Sequence, residues 1–143
     1  MNKPLKEVTL LLVEDDDVDA MTIERSFKTN RIANNIIRAY DGLQALEMLR
    51  NGEVPSPFII LLDIQMPRMN GLEFLDAIRA DKALSSSVVF ILTTSKAEED
   101  MSAGYENHIA GYFLKDDSGT NFTDLVNVLD SYWKVVHFPT KVD

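Results

Sequence analysis

The chain has 143 residues and a formal net charge of −9, from 23 acidic and 14 basic side chains, and its length suits one domain with a substantial core. Such a negative surface repels phosphate backbones and disfavours nucleic-acid binding, and the lack of cysteine excludes disulfides and thiolate chemistry. No stretch reaches the ~20 apolar residues of a membrane span, and the start lacks the apolar core of a signal peptide. We therefore expect a cytoplasmic protein that binds neither nucleic acid nor membrane.

The first strand is predicted at Val8–Val13, where a run that is apolar on both faces is typical of a buried parallel strand. It ends in four consecutive acids, Glu14–Asp17, and apolar residues at helical spacing follow from Ala20 to Phe27. Either Asp16 or Asp17 can cap this helix, but capping does not account for four acids in a row.

Two further strand–helix pairs occupy the middle of the chain. The more polar segment Ala33–Ala39 predicts an edge strand, and the leucines after Gly42 predict a helix that stops at the next Asn-Gly pair. The run Phe58–Leu62 predicts a buried strand that delivers one carboxylate, Asp63, at its tip. A loop rich in Met and Pro then closes at Gly71, and apolar spacing predicts a third helix.

The last two strands are predicted at Val88–Leu92 and Ile109–Leu114, with a short polar helix around Ala97–Tyr105 between them. The strongest helical pattern of the chain follows at Phe122–Val136. Five alternating strands and helices, joined by connections too long for hairpins, indicate an α/β fold with a parallel sheet covered on both faces. Without a repeat or linker, we expect a single domain over residues 1–143, with a short C-terminal extension at about 137–143.

Side chains suited to phosphate chemistry follow four of the five predicted strands. Glu14 and Asp15 follow the first, Asp63 the third, Thr93 the fourth and Lys115 the fifth. The carboxyl ends of parallel strands share one edge, where ligands gather. Each residue alone has an ordinary interpretation as a turn, a helix start or a surface lysine. Together, three carboxylates favour a hard cation such as Mg²⁺, and the hydroxyl and ammonium complete a set suited to phosphoryl transfer to a carboxylate.

At these strand ends the sequence resembles the receiver domain of two-component response regulators, over nearly the whole chain. The matching segments are Leu11–Asp16, Leu62–Gly71, Leu92–Ser95 and Gly111–Lys115. The resemblance implies a flavodoxin-like fold whose five parallel strands lie in the order 2-1-3-4-5, flanked by five helices. It also implies a phosphoacceptor regulator rather than an enzyme, with only self-catalysed phosphotransfer and autodephosphorylation.

The resemblance further implies roles for individual residues. Asp63 accepts a phosphoryl group from a partner histidine kinase or histidine phosphotransfer protein. Mg²⁺ would be bound by Asp15, Asp63 and the backbone carbonyl of Gln65, with Glu14 acting through water. Phosphoryl binding and switching would fall to Thr93, Lys115 and Tyr112. Phosphorylation then shifts the region after the fourth strand and the surface formed by the 97–105 helix, the fifth strand and the last helix.

Two positions depart from the family pattern. Asp116 stands where the family usually has a proline preceded by a cis bond, and a cis bond before another residue costs about 2.5–4 kcal/mol. We therefore predict that Lys115–Asp116 is trans and that the loop is displaced. Thr94 is bulkier than the residue usual at its position, which predicts slower access of phosphodonors or water to Asp63.

The end of the chain indicates how a signal could leave the domain. The segment Tyr132–Pro139 leaves no room for an output domain, so we expect output by protein contact. This terminal segment resembles the tail of single-domain regulators that are paired with phytochrome kinases, and the resemblance implies a phytochrome-type partner. A second stripe on the last helix is either part of a wide buried face or a surface for a homodimer or partner. Its members are Leu125, Val128, Tyr132 and Val135.

Three other functions compete with a phosphoryl switch as interpretations of the sequence. A haloacid-dehalogenase-type phosphohydrolase needs an acid two positions after the nucleophile, and Gln65 stands there. A flavodoxin-like cofactor binder needs a hydroxyl- and glycine-rich loop after the first strand, where this chain has acids. The alternative left open is a receiver-like interaction module that does not depend on phosphorylation. The intact acceptor, metal and switch residues argue against it, but the departure at Asp116 keeps it open.

Overall fold

A parallel sheet of five strands lies at the centre of the protein, seen in a computed structural model that describes residues 8–64, 66, 68–93, 106–115 and 122–135. The strands are β1 (Thr9–Val13), β2 (Ile36–Ala39), β3 (Phe58–Asp63), β4 (Val88–Thr93) and β5 (Gly111–Leu114). They lie in the order β2-β1-β3-β4-β5, and every neighbouring pair is parallel. The expected α/β class and strand order are therefore confirmed.

Helices cover both faces of this sheet. Within the described ranges there are four: α1 (Asp17–Thr29), α2 (Gly42–Arg50), α3 (Gly71–Ala80) and α4 (Thr123–Val135). The fifth helix that we expected around Ala97–Tyr105 lies outside the described residues. So do Thr94, the Lys115–Asp116 peptide bond and the extension at 137–143.

The alternation of side chains along the central strands divides the core into two layers. On β1, Leu11 and Val13 pack with α2 and α3, whereas Leu10 and Leu12 pack with α1 and α4 on the other face. Strands β3 and β4 alternate in the same way. Because both faces are buried, the sequences of these strands are continuous apolar runs. The polar residues that follow them lie at the carboxyl ends of the strands.

Strands β2 and β5 are shorter than the sequence patterns predicted. Strand β2 begins at Ile36, which pairs with Leu10, and the residue before it still accepts a hydrogen bond from β1, from Leu10 N to Asn35 O at 2.9 Å. Strand β5 begins at Gly111, which pairs with Phe90. The predicted edge position of β2 is correct.

The second stripe on α4 is not a continuous exposed surface. Leu125 is fully buried, and the Tyr132 ring packs edge-on against Phe90 with ring centroids 5.1 Å apart. Val128 is 46% exposed, and the side chain of Val135 lies outside the described part. Most of the described stripe therefore belongs to the core side of α4.

Among the described helices, none combines the length and the apolar character that a membrane span requires.

Gly71 lets the start of α3 lie directly against the end of β3. Its backbone nitrogen donates to Ile64 O at 2.8 Å. A Cβ at position 71 would lie 2.6 Å from both Asp63 O and Ile64 Cα, which are backbone atoms that cannot rotate away. Glycine is therefore required here by close approach, and the contact fixes the backbone that carries Asp63.

We predict that Gly71→Ala lowers the free energy of unfolding by about 2 kcal/mol or more, because the added methyl group displaces backbone rather than a flexible side chain. Urea denaturation followed by circular dichroism measures this change. The matched control is Gly111→Ala, whose Cβ would lie 3.4 Å from the Phe90 ring and should change stability by less than about 1 kcal/mol. Equal losses in the two variants would contradict this account of Gly71.

Candidate functional site

The residues singled out at the strand ends converge on one edge of the sheet. Glu14 and Asp15 directly follow β1, Asp63 ends β3, and one carboxylate oxygen from each lies within 4.8 Å of the others. Thr93, which is fully buried, ends β4, and Lys115 directly follows β5. The structure therefore brings three carboxylates together beside a hydroxyl and an ammonium.

The remaining two predicted site residues differ in position. Tyr112 lies on β5 opposite Ile91 of β4 and packs, partly buried, against the core layer of α2 and α3. It lies three residues before Lys115, on the strand that leads to the site. Gln65, whose backbone carbonyl was expected to bind the cation, lies outside the described residues.

Lys115 lies among three acids from different elements. Its Nζ is 2.7 Å from Asp19 Oδ2, 3.0 Å from Glu14 Oε1 and 3.8 Å from Asp63 Oδ2, and its side chain is 15% exposed. Burial lowers the pKa of Lys115, but the hydrogen bond to Asp19 and the charges of Glu14 and Asp63 outweigh it, so the pKa is raised. The ammonium is therefore charged at any physiological pH.

Glu14 is completely buried, and its charge is only partly compensated. Burial is the main cause that raises the pKa of Glu14 to about 8, and the neighbouring Asp63 carboxylate adds to it while Lys115 opposes it. Its Oε1 lies 3.0 Å from Lys115 Nζ but accepts no hydrogen bond from the described residues. An under-compensated carboxylate beside Asp15 and Asp63 is a donor set that suits a hard divalent cation.

The raised pKa of Glu14 predicts how stability depends on pH without metal. A carboxyl with a folded pKa of about 8 and an ordinary value of 4.5 gives stability that is fully present below 4.5 and lost as the pH rises through 8. In the presence of a chelator, the free energy of unfolding should therefore fall between pH 6 and pH 9, by about 1 kcal/mol or more.

Urea denaturation of the wild type and of Glu14→Gln at both pH values measures this fall. Glutamine occupies the same volume and cannot ionise, so the variant should lose clearly less stability over the same range. An equal fall in both proteins would mean that Glu14 is not the group responsible.

The four acids that follow β1 make different contacts. Glu14 and Asp15 belong to the carboxylate cluster. Asp16 is the N-cap of α1, because its Oδ1 accepts a hydrogen bond from Asp19 N at 3.0 Å, and that bond lowers the pKa of Asp16. Asp17 pairs with Arg38 at 2.8 Å. The two cap candidates are thus resolved in favour of Asp16.

Arg38 on β2 supports the site and was missed in the sequence. Its Nε and Nη2 donate to Glu14 O at 3.1 and 3.0 Å, and its guanidinium lies 4.3 Å from the centroid of the Tyr40 ring. With its Nη1 on Asp17, it holds the turn between β1 and α1 in place. The available signal was an arginine inside an otherwise apolar strand.

Asp19 is a second residue at the site that the sequence pattern did not indicate. Among the described residues it makes the shortest ion pair of Lys115, although 96 positions separate the two residues. The signal was its spacing, because Asp19 lies four and eight residues before Ile23 and Phe27, which face the core. An acid in line with the buried stripe of α1 faces the sheet rather than solvent.

The loop after β3 is held against α2 by a second ion pair. Asp41 is buried, caps α2 by accepting from Gln44 N at 2.9 Å, and pairs with Arg68 Nε at 2.6 Å. The hydrogen bond from Arg68 keeps the pKa of Asp41 below its usual value. Gly42 N donates to Met69 O at 3.2 Å. These contacts hold the described residues of the loop next to Asp63.

Comparison with known proteins places the chain in a family. Residues 10–127 match the response regulator receiver domain. The chain is 35% identical over 128 residues to the response regulator Rcp1 of Synechocystis sp., covering 87% of each. A crystal structure of the Mn²⁺-bound form of Rcp1 gives a TM-score of 0.81 at 33% identity, covering 93% of this chain and 99% of that one. The phosphorylated cyanobacterial phytochrome response regulator RcpA gives a TM-score of 0.84 at 26% identity, covering 94% and 100%.

The chain therefore belongs to the response regulator receiver domain family, as its motifs indicated. Within that family it is close, in sequence and structure, to Rcp1 and to phytochrome response regulators. Receiver domains are signalling switches of two-component systems rather than enzymes in general. The convergence of Glu14, Asp15, Asp63, Thr93 and Lys115 has to be interpreted within that function.

Proposed function

We propose that this protein is a phosphoryl-accepting switch of a two-component phosphorelay and that Asp63 is the residue phosphorylated. The observation that carries the proposal is the convergence at one sheet edge. Asp63 Oδ2 lies 3.8 Å from Lys115 Nζ, and carboxylate oxygens of Asp63, Glu14 and Asp15 lie within 4.8 Å of one another. Such a group combines a nucleophile with donors for a transferred phosphoryl group.

The proposed reaction moves a phosphoryl group from a histidine of the partner to Asp63. A carboxylate oxygen of Asp63 attacks the phosphorus while the bond from phosphorus to the imidazole nitrogen breaks, and that electron pair returns to the imidazole. Asp63 must be ionised for this step, and the ammonium of Lys115 lies 3.8 Å from its Oδ2. Gly71 and the Asp41–Arg68 pair hold the backbone around Asp63 in one geometry.

We propose Mg²⁺ as the cation of this site. Asp15, Asp63 and the backbone carbonyl of Gln65 would bind it, and Glu14 would act through water. When bound, the cation neutralises the phosphoryl oxygens. The under-compensated Glu14 and the all-oxygen donor set support this assignment, as does the similarity to Rcp1, which has been seen in a Mn²⁺-bound form.

The signal would follow from the positions of Thr93 and Lys115. Once Asp63 carries the phosphoryl group, their hydroxyl and ammonium would bind its oxygens, and Tyr112 would change rotamer on β5. Moving the balance from 1:99 to 99:1 requires about 5.5 kcal/mol of preference for the active state. The output surface would include β5, α4 and the segment before β5, and would contact a protein partner or a second copy of the chain.

The proposed phosphodonor is a histidine kinase or histidine phosphotransfer protein, of the phytochrome type. The support is the similarity to RcpA, a cyanobacterial phytochrome response regulator, and to Rcp1. The phosphorylated state of RcpA in its crystal structure supports phosphorylation as the relevant chemistry.

Phosphorylation is tested by incubating the protein with acetyl phosphate and Mg²⁺ and measuring the intact mass and the modified peptide. The wild type should gain one phosphoryl group, and Asp63→Asn should lower its incorporation by more than about 100-fold, because an amide is not a nucleophile at oxygen. Asp124→Asn, which removes an exposed acid of α4, is the control and should behave like the wild type. If wild type and Asp63→Asn both stay unmodified, the protein is a phosphorylation-independent interaction module.

The cation site is tested by titrating Mn²⁺ and measuring the free ion by electron paramagnetic resonance, with Mg²⁺ as competitor. Asp15→Asn should raise the dissociation constant about tenfold or more, because one charged ligand is lost. Asp17→Asn removes an acid two positions away that pairs with Arg38 instead, and its dissociation constant should change by less than about twofold. Similar losses in both variants would indicate a general charge effect and no assembled site.

A further inference from the structure

Lys115 makes its shortest described ion pair with an acid that the proposed phosphoryl chemistry does not use. Asp19 Oδ2 lies 2.7 Å from Lys115 Nζ, whereas Asp63 Oδ2 lies 3.8 Å away. Asp19 is on the first turns of α1, outside the carboxylate cluster of Glu14, Asp15 and Asp63. A charged hydrogen bond of this length between two partly buried groups is among the stronger contacts that a side chain makes.

The sheet and α1 bring these two residues together for a simple geometric reason. Lys115 directly follows β5, whose Phe113 packs on the α1 and α4 face of the sheet. Asp19 lies in line with Ile23 and Phe27, on the side of α1 that faces the same layer. The ammonium therefore reaches the edge of the sheet on the side where Asp19 lies.

We propose that Asp19 is a positioning residue that holds Lys115 away from the phosphoryl site in the unphosphorylated protein. The inference rests on the proposed function and adds Asp19 as a group that competes with the phosphoryl group for Lys115. In this role, Lys115 weakens or leaves its contact with Asp19 when it binds a phosphoryl oxygen on Asp63. Asp19 thus stabilises the inactive arrangement and sets how strongly a phosphoryl group must attract Lys115 before the switch responds.

This positioning role differs from a direct electrostatic effect of Asp19. An acid near Asp63 could also repel a phosphoryl group at a distance, and removing it would strengthen phosphoryl binding whether or not Lys115 were present. In the role proposed here, Asp19 acts only through Lys115. The two effects are separated by a double-mutant cycle, because a contribution that runs through Lys115 disappears when Lys115 is replaced.

The experiment measures the affinity for beryllofluoride, a phosphoryl mimic, by fluorine NMR at saturating Mg²⁺. Asp19→Asn should bind it on the order of tenfold more tightly than the wild type, because a charged hydrogen bond no longer competes for Lys115. Asp19→Glu keeps the charge and should stay close to the wild type. Glu24→Gln removes one negative charge from the same helix and is the control for net charge.

The same substitution is then made in a Lys115→Gln background. Asp19→Asn should leave the affinity there within about twofold, so that the coupling between the two positions accounts for the whole effect. Tighter binding of equal size in both backgrounds, or in Glu24→Gln, would overturn the positioning role and leave charge repulsion. An affinity of Asp19→Asn equal to that of the wild type would overturn it as well.

These outcomes can be told apart from a failure of the proposed function. If the wild type binds no beryllofluoride and gains no phosphoryl group, the phosphoryl switch fails, and the role of Asp19 fails with it. If the wild type binds the mimic and loses this binding in Asp63→Asn, the proposed function stands, and the cycle between Asp19 and Lys115 alone decides the inference.

Discussion

The charge balance around Lys115 is the constraint on which the carboxyl edge of the sheet depends. Buried ions are stable only when opposite charges and hydrogen bonds compensate them. Glu14 is fully buried and Asp63 nearly so, and one ammonium is shared between these two acids and Asp19. Burial, together with the neighbouring Asp63, raises the pKa of Glu14 to about 8, because the single ammonium of Lys115 only partly opposes them. The site is thus built to gain stability when a cation arrives.

The rest of the fold holds this under-compensated group in place. Strands β1 and β3 are the second and third in the sheet, covered on both faces, so their ends cannot move far without disturbing both core layers. Arg38 holds the turn after β1 through two hydrogen bonds to Glu14 O, and Gly71 allows α3 to lie on the backbone of Asp63. Acids that repel one another stay together because the backbone gives them no alternative position.

The proposed switch needs two states of similar free energy, and the contacts of Lys115 would adjust the balance between them. In the described structure the ammonium lies closer to Asp19 and Glu14 than to Asp63. A phosphoryl group on Asp63 would add negative charge and acceptor oxygens on one side of the ammonium only. The number and distance of acids that compete for one lysine would then determine how far phosphorylation shifts the population. Receiver domains with other residues at the position of Asp19 would differ in this respect while keeping the same chemistry.

The sequence by itself determined the parts that depend on local pattern. The apolar runs of β1, β3 and β4 predicted buried parallel strands, and the residues at their ends predicted which side chains would meet, because carboxyl ends of parallel strands share one edge. The helices with clear apolar spacing were predicted close to their observed bounds. The edge strand β2 and the strand β5 were predicted too long, since the apolar pattern does not show that regular pairing with the neighbouring strand begins only at Ile36 and Gly111.

Only the tertiary structure decided which partner each charged residue takes. Nothing local distinguishes Asp16, which caps α1, from Asp17, which pairs with Arg38 on another strand. The pairing of Asp19 with Lys115 joins residues 96 positions apart and depends on how α1 packs against the sheet. The buried position of Leu125 and the exposure of Val128 likewise depend on how α4 packs. Pair interactions between distant residues are set by packing, and a single sequence holds no direct record of packing.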